Sequence, residues 1–297
     1  MSARAWLLFA AMCVIWGIPY LLIRVAVRDL DPAMLVFART VIAAAVLLPL
    51  AARRHELKPV LARWRPLLLF AAIEIAIPWL LLSSAERRLS SSFTGLTIAA
   101  VPLVGVAITR ERLGAWSFAG LALGLGGVAA LVGLDLSGTS ALALVEIAGV
   151  VVGYAAGPIV LARSLRDLPA LGVIAASLGV TAIVYLPSGV VDFPTATPPA
   201  KVIASVVALA LVCTALAFSV FLALIAEIGP VRATVITYVN PAVAAALGVG
   251  LLNERFTAGM GIGFALILVG SVLAARRPSL KRVELPGGGE ARLGAEA

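Results

Sequence analysis

Two segments of the sequence begin with proline and end with Glu-Arg and an apolar residue: PLVGVAITRERL at 102–113 and PAVAAALGVGLLNERF at 241–256. The prolines are 139 positions apart (241 − 102) and the glutamates 143 (254 − 111). The two offsets differ by four residues, which is about one helical turn. The second segment can therefore be one turn longer and still turn the same helix face inward. Other landmarks keep one of these offsets, namely Pro19 with Pro158, Arg24 with Arg163, Gly120 with Gly263 and Gly127 with Gly270. The chain is therefore predicted to contain two copies of one unit.

Apolar stretches occupy most of the 297 residues, of which 62% are hydrophobic and only 13% charged. A helix that crosses a bilayer needs about 20 mostly apolar residues, because hydrocarbon cannot satisfy backbone N–H and C=O groups. The pattern predicts an all-α polytopic membrane protein with ten transmembrane helices, numbered spans 1 to 10, near residues 5–26, 31–51, 66–84, 91–109, 114–134, 141–162, 169–187, 202–225, 232–252 and 257–275.

The two predicted units have five spans each, and an odd number of spans makes them cross the membrane in opposite senses. The first unit covers residues 1–135 and the second residues 141–275. Residues 278–297, with Pro286 followed by three glycines, have little to bury and are predicted to be a flexible cytosolic tail. Inverted repeats place a substrate site at their interface, near the middle of the membrane.

The cations between the spans predict the orientation. With a cytoplasmic N-terminus, sixteen lysines and arginines fall on the inner side and six on the outer side. Cytoplasmic loops carry such an excess, so both termini are predicted to be cytoplasmic. Trp6, Trp64 and Trp116 would then lie at the inner interface, which suits their amphipathic rings. The net charge of +8 is thus explained by membrane topology, and no nucleic-acid partner is expected.

Several of these features resemble the two EamA-type units of the drug/metabolite transporter superfamily over about residues 5–275. They are Trp16-Gly17 in span 1, Arg39 after Asp31-Pro32 in span 2, and the paired Pro to Glu-Arg segments. The resemblance implies ten helices around a central cavity, built mainly by spans 1, 3, 4, 6, 8 and 9. It also implies export of small metabolites, amino acids or drug-like compounds across a bacterial inner membrane.

The second unit departs from the family pattern. The position that matches Trp16 is Ala155, and no arginine matches Arg39. A strictly symmetric site is therefore not expected.

Pro102 and Pro241 are predicted to be paired gating hinges. A proline within a helix removes one hydrogen bond and bends the helix, which membranes tolerate where the freed carbonyl faces protein or water. Both prolines lie roughly 14–16 Å along their spans, near the bilayer centre. The alternative is a static kink needed only for packing.

Glu74 and Arg39 are the informative charges, because ionised side chains inside a membrane are expensive and normally face a cavity or each other. Their backbones differ in depth by only about 6 Å, so they could form an ion pair. One hypothesis is that Glu74 binds and releases a coupling proton. The alternative is a fixed structural pair with Arg39 that never titrates.

Aromatic and polar side chains well inside the spans are candidates for substrate contacts. Aromatic faces offer stacking and cation–π contacts, and tyrosine hydroxyls offer hydrogen bonds. With Arg39 and Glu74, the predicted substrate-binding residues are Trp16, Tyr20, Trp79, Tyr154, Tyr238 and Asn240. The alternative for each aromatic is a core or lipid-facing position.

Two further sets of residues are assigned structural roles. The serines and charges around the turn between spans 3 and 4, residues 83–94, are expected to form a solvated turn and helix cap. The alternative for these residues is a role in an outer gate. Glu111-Arg112 and Glu254-Arg255 are expected to be structural turns. Close helix approach at Gly120-xxx-Gly124 and at Gly259, Gly261 and Gly263 is expected to pack the monomer, which leaves a monomer or a weak homodimer.

No pattern in the sequence indicates an enzyme, a metal site or a bound cofactor. The only histidine, His55, lies in a basic loop, and Cys13 and Cys213 lack the spacing of metal ligands. The expected function is secondary-active transport of small molecules by alternating access, across a lipid bilayer that is itself the main partner of the chain. The alternative is a passive facilitator or channel, which saturation and trans-stimulation by substrate would distinguish from a carrier.

Overall fold

The computed structural model describes residues 2–109, 115–133, 140–229, 233 and 236–274, and within these ranges the regular structure is helical. Span 5 is the helix Ala115–Gly133, span 9 is Ile236–Leu252 and span 10 is Ala258–Ala274. Spans 2 and 6 are the long helices Pro32–Arg53 and Ala141–Val160. Spans 1, 3, 4 and 8 are each divided into shorter helices. Span 7 is the helix Ala170–Val184, which is followed by the short helix Leu186–Val191.

Six helical rods in the described residues are long and apolar enough to cross a membrane. They are spans 1, 2, 3, 4, 6 and 8, and the observed limits of span 4, residues 91–109, equal the predicted ones. Shorter apolar helices at 118–130, 170–184, 236–252 and 258–273 stand where spans 5, 7, 9 and 10 are predicted. Helix length thus supports six crossings directly, and the other four remain predictions.

Side-chain caps explain where two spans begin. Asp31 precedes Pro32, and its carboxylate accepts a hydrogen bond from Ala33 N at 2.8 Å. Ser90 precedes span 4, and its hydroxyl accepts from Phe93 N at 3.1 Å. Each cap satisfies a backbone N–H that has no partner within its own helix. The helix-cap part of the prediction for the 83–94 region is therefore correct.

Spans 1 and 4 are each interrupted near their middle. Span 1 consists of Ala3–Ile15 and Pro19–Ala26, and span 4 of Ser91–Ile98 and Val101–Thr109. Gly17 allows the break in span 1 to approach span 9, because a Cβ here would lie 2.5 Å from Val243 Cβ.

Spans 3 and 8 each contain a π-helical segment between two α-helices. The segment Ala71–Ala76 separates Trp64–Phe70 from Ile77–Ala85. The segment Leu211–Leu216 separates Ala200–Ala210 from Ala217–Ile228. Their first residues are 140 positions apart (211 − 71), so the same irregularity occurs at matching places in the two units. Such π-bulges are often found at functional sites.

Spans 5 and 10 cross at paired glycines. A Cβ on Gly127 would lie 2.8 Å from the Gly263 carbonyl oxygen, and one on Gly270 would lie 2.6 Å from the Gly120 carbonyl oxygen. The repeat exchanges these two contacts, since Gly127 matches Gly270 and Gly120 matches Gly263. These glycines therefore pack helices within the monomer, as the sequence predicts.

The variant Gly127→Ala should lower the stability of the protein by about 1–3 kcal/mol, because its Cβ meets backbone atoms that cannot move independently. Gly126→Ala is the matched control. It gains the same helix propensity, and a Cβ at that position meets nothing within 4 Å. Thermal unfolding in detergent measures both variants, and equal midpoints would contradict the proposed packing.

Candidate functional site

Arg39 of span 2 is held by residues from both units. Its side chain is buried, with 7% of the residue exposed. Nε donates to Thr214 Oγ1 of span 8 at 2.9 Å, and the guanidinium carbon lies 3.6 Å from the centre of the Trp79 ring of span 3. Thr214 in turn donates to the Leu209 carbonyl at 2.7 Å. A cation–π contact and a directed hydrogen bond thus fix the guanidinium at the boundary between the units.

Glu74 and Thr214 occupy equivalent positions. They are 140 residues apart (214 − 74), and each is the fourth residue of its π-helical segment. Sequence reasoning missed Thr214, because the offset of 139 applied to Glu74 leads to Cys213, one residue before it. The site is therefore asymmetric in chemistry, since one unit contributes a carboxyl group where the other contributes a hydroxyl.

Glu74 lies against a glycine face of span 6. A Cβ on Gly157 would overlap Glu74 Oε2, and a Cβ on Gly153 would lie 2.7 Å from both the Ile73 carbonyl oxygen and Pro78 Cγ. Within the described residues Glu74 Oε2 is buried without a hydrogen-bond partner, although the residue as a whole is partly exposed. The two glycines thus make the space in which the carboxyl group sits.

The ion pair between Glu74 and Arg39, which their depths would allow, is absent from the salt bridges of the described residues. Arg39 is bonded to Thr214 instead. Tyr154 lies within electrostatic reach of both charges, and Tyr20 within reach of Arg39. The structure therefore brings together five of the predicted residues: Tyr20, Arg39, Glu74, Trp79 and Tyr154.

Trp16 and Asn240 form separate contacts where spans 1, 8 and 9 meet. The Trp16 ring lies 5.9 Å from Phe218 and 4.8 Å from Phe221, measured between centroids. With the amide oriented to satisfy its NH2 group, Asn240 donates to the carbonyls of Cys13 at 3.1 Å and Ile236 at 3.0 Å. Tyr238 is partly buried on the same helix as Asn240. None of these contacts reaches Arg39.

The two predicted hinges lie in different local structures. Pro102 is the second residue of Val101–Thr109, directly after the interruption of span 4. Pro241 lies inside the uninterrupted helix of span 9 and is buried. A break thus exists beside the first proline, whereas the second is accommodated within a continuous helix, and their gating role remains a prediction.

The turn between spans 3 and 4 is solvated at Arg87 and Arg88, which are exposed, but most of its other polar side chains are buried, so the prediction is correct only in part. Ser83, Glu86, Ser91, Ser92 and Thr94 are 0–2% exposed. We call the side of the molecule that contains this turn the predicted outer side. The polar composition suggested solvent, but these residues are covered by parts of the chain far away in sequence.

Glu254, in the turn after span 9, caps the start of span 4. Its two carboxylate oxygens accept from Ser91 N, Ser91 Oγ, Ser92 N and Ser92 Oγ at 2.5–3.0 Å. Asn253, at φ 54°, reverses the chain in the left-handed conformation that asparagine tolerates, and this returns Glu254 to the helix. Glu254-Arg255 is thus a turn, as predicted, but one that joins the two units. The matching Glu111-Arg112 lies outside the described residues.

Glu146 forms a second hydrogen-bonded contact between the two units, close to the one made by Glu254. Glu146 of span 6 accepts from Ser84 Oγ at 2.7 Å and from Arg88 Nη1 at 3.0 Å. On the predicted outer side, Glu146 and Glu254 of the second unit thus both accept hydrogen bonds from the first unit.

An apolar groove of about 410 Å³ lies apart from this site. It is lined by span 2, span 8 and the segment 193–198, including Met34, Ile42 and Phe193. The residues that contact Arg39 do not line it, so it is not the predicted central cavity.

The sequence profile of the EamA-like transporter family matches residues 3–133 and 141–276. The chain belongs to this family. Curated relatives in the K12, O6:H1 and O157:H7 strains of Escherichia coli are named uncharacterized inner membrane transporter YedA. They are 28% identical to this chain over 273 residues, which is 89% of this chain and 88% of theirs.

A solved structure described only as "Crystal structure of protein" supports the fold. It is 21% identical, has a TM-score of 0.65, and the match covers 93% of this chain and 97% of that one. This EamA-family chain is therefore a multi-pass inner membrane protein and a transporter rather than an enzyme. The described residues contain no group of three or more His, Cys, Asp or Glu that could hold a metal ion.

The variant Gly157→Ala should impair transport, because its Cβ would displace the Glu74 carboxyl group. Overpacking of this kind destabilises the packed arrangement of spans 3 and 6 by about 1–3 kcal/mol. This corresponds to a change of roughly 5- to 150-fold in the equilibrium constant for forming that arrangement. The control is Gly149→Ala on the same span, whose Cβ meets only the flexible end of Leu81. Uptake into proteoliposomes, normalised to folded protein, compares them, and equal rates would contradict a role for this contact.

The variant Glu254→Gln should destabilise the protein at neutral pH by about 1–3 kcal/mol, since an amide cannot accept four hydrogen bonds from donors. Partial burial opposes ionisation of Glu254, but the bonds from Ser92 and Ser91 outweigh it and lower its pKa. The stabilisation is therefore complete above the ordinary glutamate pKa of about 4.3 and is lost as pH falls through the lowered value.

Thermal unfolding between neutral and acidic pH tests this prediction, with Asp192→Asn as the control at an exposed carboxylate on the predicted outer side. A difference between Glu254→Gln and the parent that persisted unchanged in acid would contradict it.

Proposed function

We propose that the protein is a secondary-active transporter that exports small metabolites, amino acids or drug-like compounds by alternating access through a central site. The observation that carries the proposal is the junction at Arg39, where a charged side chain of the first unit is held by Thr214 of the second. An ionisable residue inside a membrane normally marks a substrate or ion pathway. Its place between inverted units fits a site that opens to each side in turn.

Arg39 is the proposed contact for an anionic group of the substrate. Its Nε is occupied by Thr214, and in the described residues no hydrogen bond to protein is assigned to its two terminal NH2 groups. These groups can bind a carboxylate with two parallel hydrogen bonds. Trp79 fixes the guanidinium from one face, and Tyr154 offers an aromatic wall and a hydroxyl group.

Glu74 is the proposed proton carrier. A buried carboxyl oxygen with no partner favours the neutral acid, and the partly exposed residue gives water a route to it. The fixed ion pair with Arg39, which was the alternative to titration, is not formed, and this supports a free carboxyl group. A passive facilitator or channel remains the competing function.

The hydrogen bonds between the units on the predicted outer side support the carrier. Arg88 donates to Glu146 and Ser91 N donates to Glu254 there, and such bonds would hold this side closed while the site faces the opposite compartment. The proposed orientation has both termini in the cytoplasm, and the proposed state is a monomer or a weak homodimer.

The deciding experiment is an uptake screen in proteoliposomes over amino acids, nucleosides, sugars and cationic dyes, with and without a pH gradient. A carrier should show saturation and trans-stimulation, whereas a channel should show neither. Arg39→Ala should abolish uptake of the anionic or zwitterionic substrates that the protein accepts.

The variant Glu74→Gln should retain exchange of substrate but lose uphill transport driven by the pH gradient, because an amide cannot carry the proton. Glu227→Gln, which alters an exposed carboxylate bonded to Ser2 Oγ, is the control. Full pH-driven accumulation by Glu74→Gln would end the coupling proposal.

A further inference from the structure

Glu86 is a second buried carboxyl group, at the end of span 3, and the proposed transport site does not use it. It directly follows the last residue of the span and is 0% exposed. Neither carboxyl oxygen has a hydrogen-bond partner in the described part of the chain. Arg24 donates to the backbone oxygen of Glu86 and not to its carboxyl group.

The groups around Glu86 come from three other parts of the chain. Arg24 and Tyr20 lie on the second half of span 1, Tyr154 on span 6 and Glu254 in the turn after span 9, all within electrostatic reach. The position therefore lies at the contact between the two units on the predicted outer side. It is twelve residues (86 − 74) beyond Glu74, or about 18 Å along a helix, so the two carboxyl groups are separate, although Tyr20 and Tyr154 lie within electrostatic reach of Glu86 and of the Arg39 cluster.

The two carboxyl groups at this contact have opposite environments. Glu254 receives four hydrogen bonds from donors, which stabilise its anion, whereas Glu86 receives none. Burial without hydrogen-bond partners disfavours an ionised carboxylate, and a neighbouring anion disfavours it further. Desolvation by burial raises the pKa of Glu86 well above its ordinary value, with Arg24 opposing and the charge of Glu254 adding to the effect. Its missing hydrogen-bond partners and its burial thus both favour the protonated form of Glu86 over that of Glu254.

We propose that Glu86 is a proton-binding site that couples closure of the predicted outer side to protonation from that side. When that side opens, water reaches the carboxyl group, which releases its proton to water. When it closes, the group takes a proton from water on the same side before it is buried. The inference rests on the alternating access proposed above.

The sign of the pH dependence follows from linkage. The closed form binds one more proton than the open form, so acid favours closure and closure weakens as pH rises. One linked proton changes the ratio of open to closed protein by up to about tenfold per pH unit.

The first measurement is infrared spectroscopy of the Glu74→Gln protein, in which the carbonyl band of a protonated carboxyl group reports Glu86. The band should be present at neutral pH, lost on further mutation Glu86→Gln or Glu86→Met, and retained with the control Asp29→Asn, an exposed carboxylate on the same side. Absence of the band in the parent, or its persistence in both Glu86 variants, would overturn the proposal.

The second measurement follows opening. With Cys13 and Cys213 replaced by alanine, a cysteine introduced by Ser83→Cys, at a position 2% exposed, is labelled by an impermeant maleimide. The labelling rate at this cysteine is divided by the labelling rate at an exposed reference cysteine, introduced by Asp192→Cys. Because thiol ionisation increases with pH at both positions, the ratio corrects for it. The ratio should rise by up to about tenfold per pH unit in the parent and in Asp29→Asn, and stay low at every pH in Glu86→Gln.

The outcomes separate the two proposals. A Glu86→Gln ratio that follows the parent's pH profile overturns the role of Glu86 even when transport is intact. If the parent shows no saturable exchange in proteoliposomes, the proposed carrier function fails, while the infrared band still decides whether Glu86 is a proton site.

Discussion

Inside hydrocarbon a polar group must find its partner within the protein, and the guanidinium of Arg39 shows how far this requirement shapes the fold. Its partners are Thr214 of span 8 and the ring of Trp79 on span 3, so one charge fixes the relative positions of three spans. The π-helical segments of spans 3 and 8 lie at this contact between the units. A π-turn changes which backbone groups are paired and turns the side chain at its centre, Glu74 or Thr214, towards the contact between the units.

Much of the architecture could be predicted because repeats and apolar length are local properties of the sequence. The constant offsets predicted two related units, and the family match and the solved relative support that fold. The exchange of contacts between Gly127 with Gly263 and Gly270 with Gly120 follows directly from those offsets. Arg39, Glu74 and Trp79 were found because charged and aromatic residues in the middle of an apolar span are conspicuous.

The contacts of these residues could not be predicted in the same way. A π-helical segment adds less than one residue to a turn and leaves the apolar pattern unchanged, so neither segment is visible in the sequence. The turn at 83–94 is rich in serine and charge, and such a composition is typical of solvent exposure. Ser91 of this region contacts Glu254, which is more than 160 residues away in sequence. A contact of that range leaves no local signal in the sequence.

The unmatched Arg39 has an electrical consequence. Because no arginine of the second unit matches Arg39, the first unit carries a fixed positive charge that the second does not balance. If the units exchange orientation about the central site, that charge is displaced through part of the membrane field, where a full crossing is worth about 2.3 kcal/mol per 100 mV. Turnover should then respond to the voltage across the membrane even for a substrate that is itself neutral.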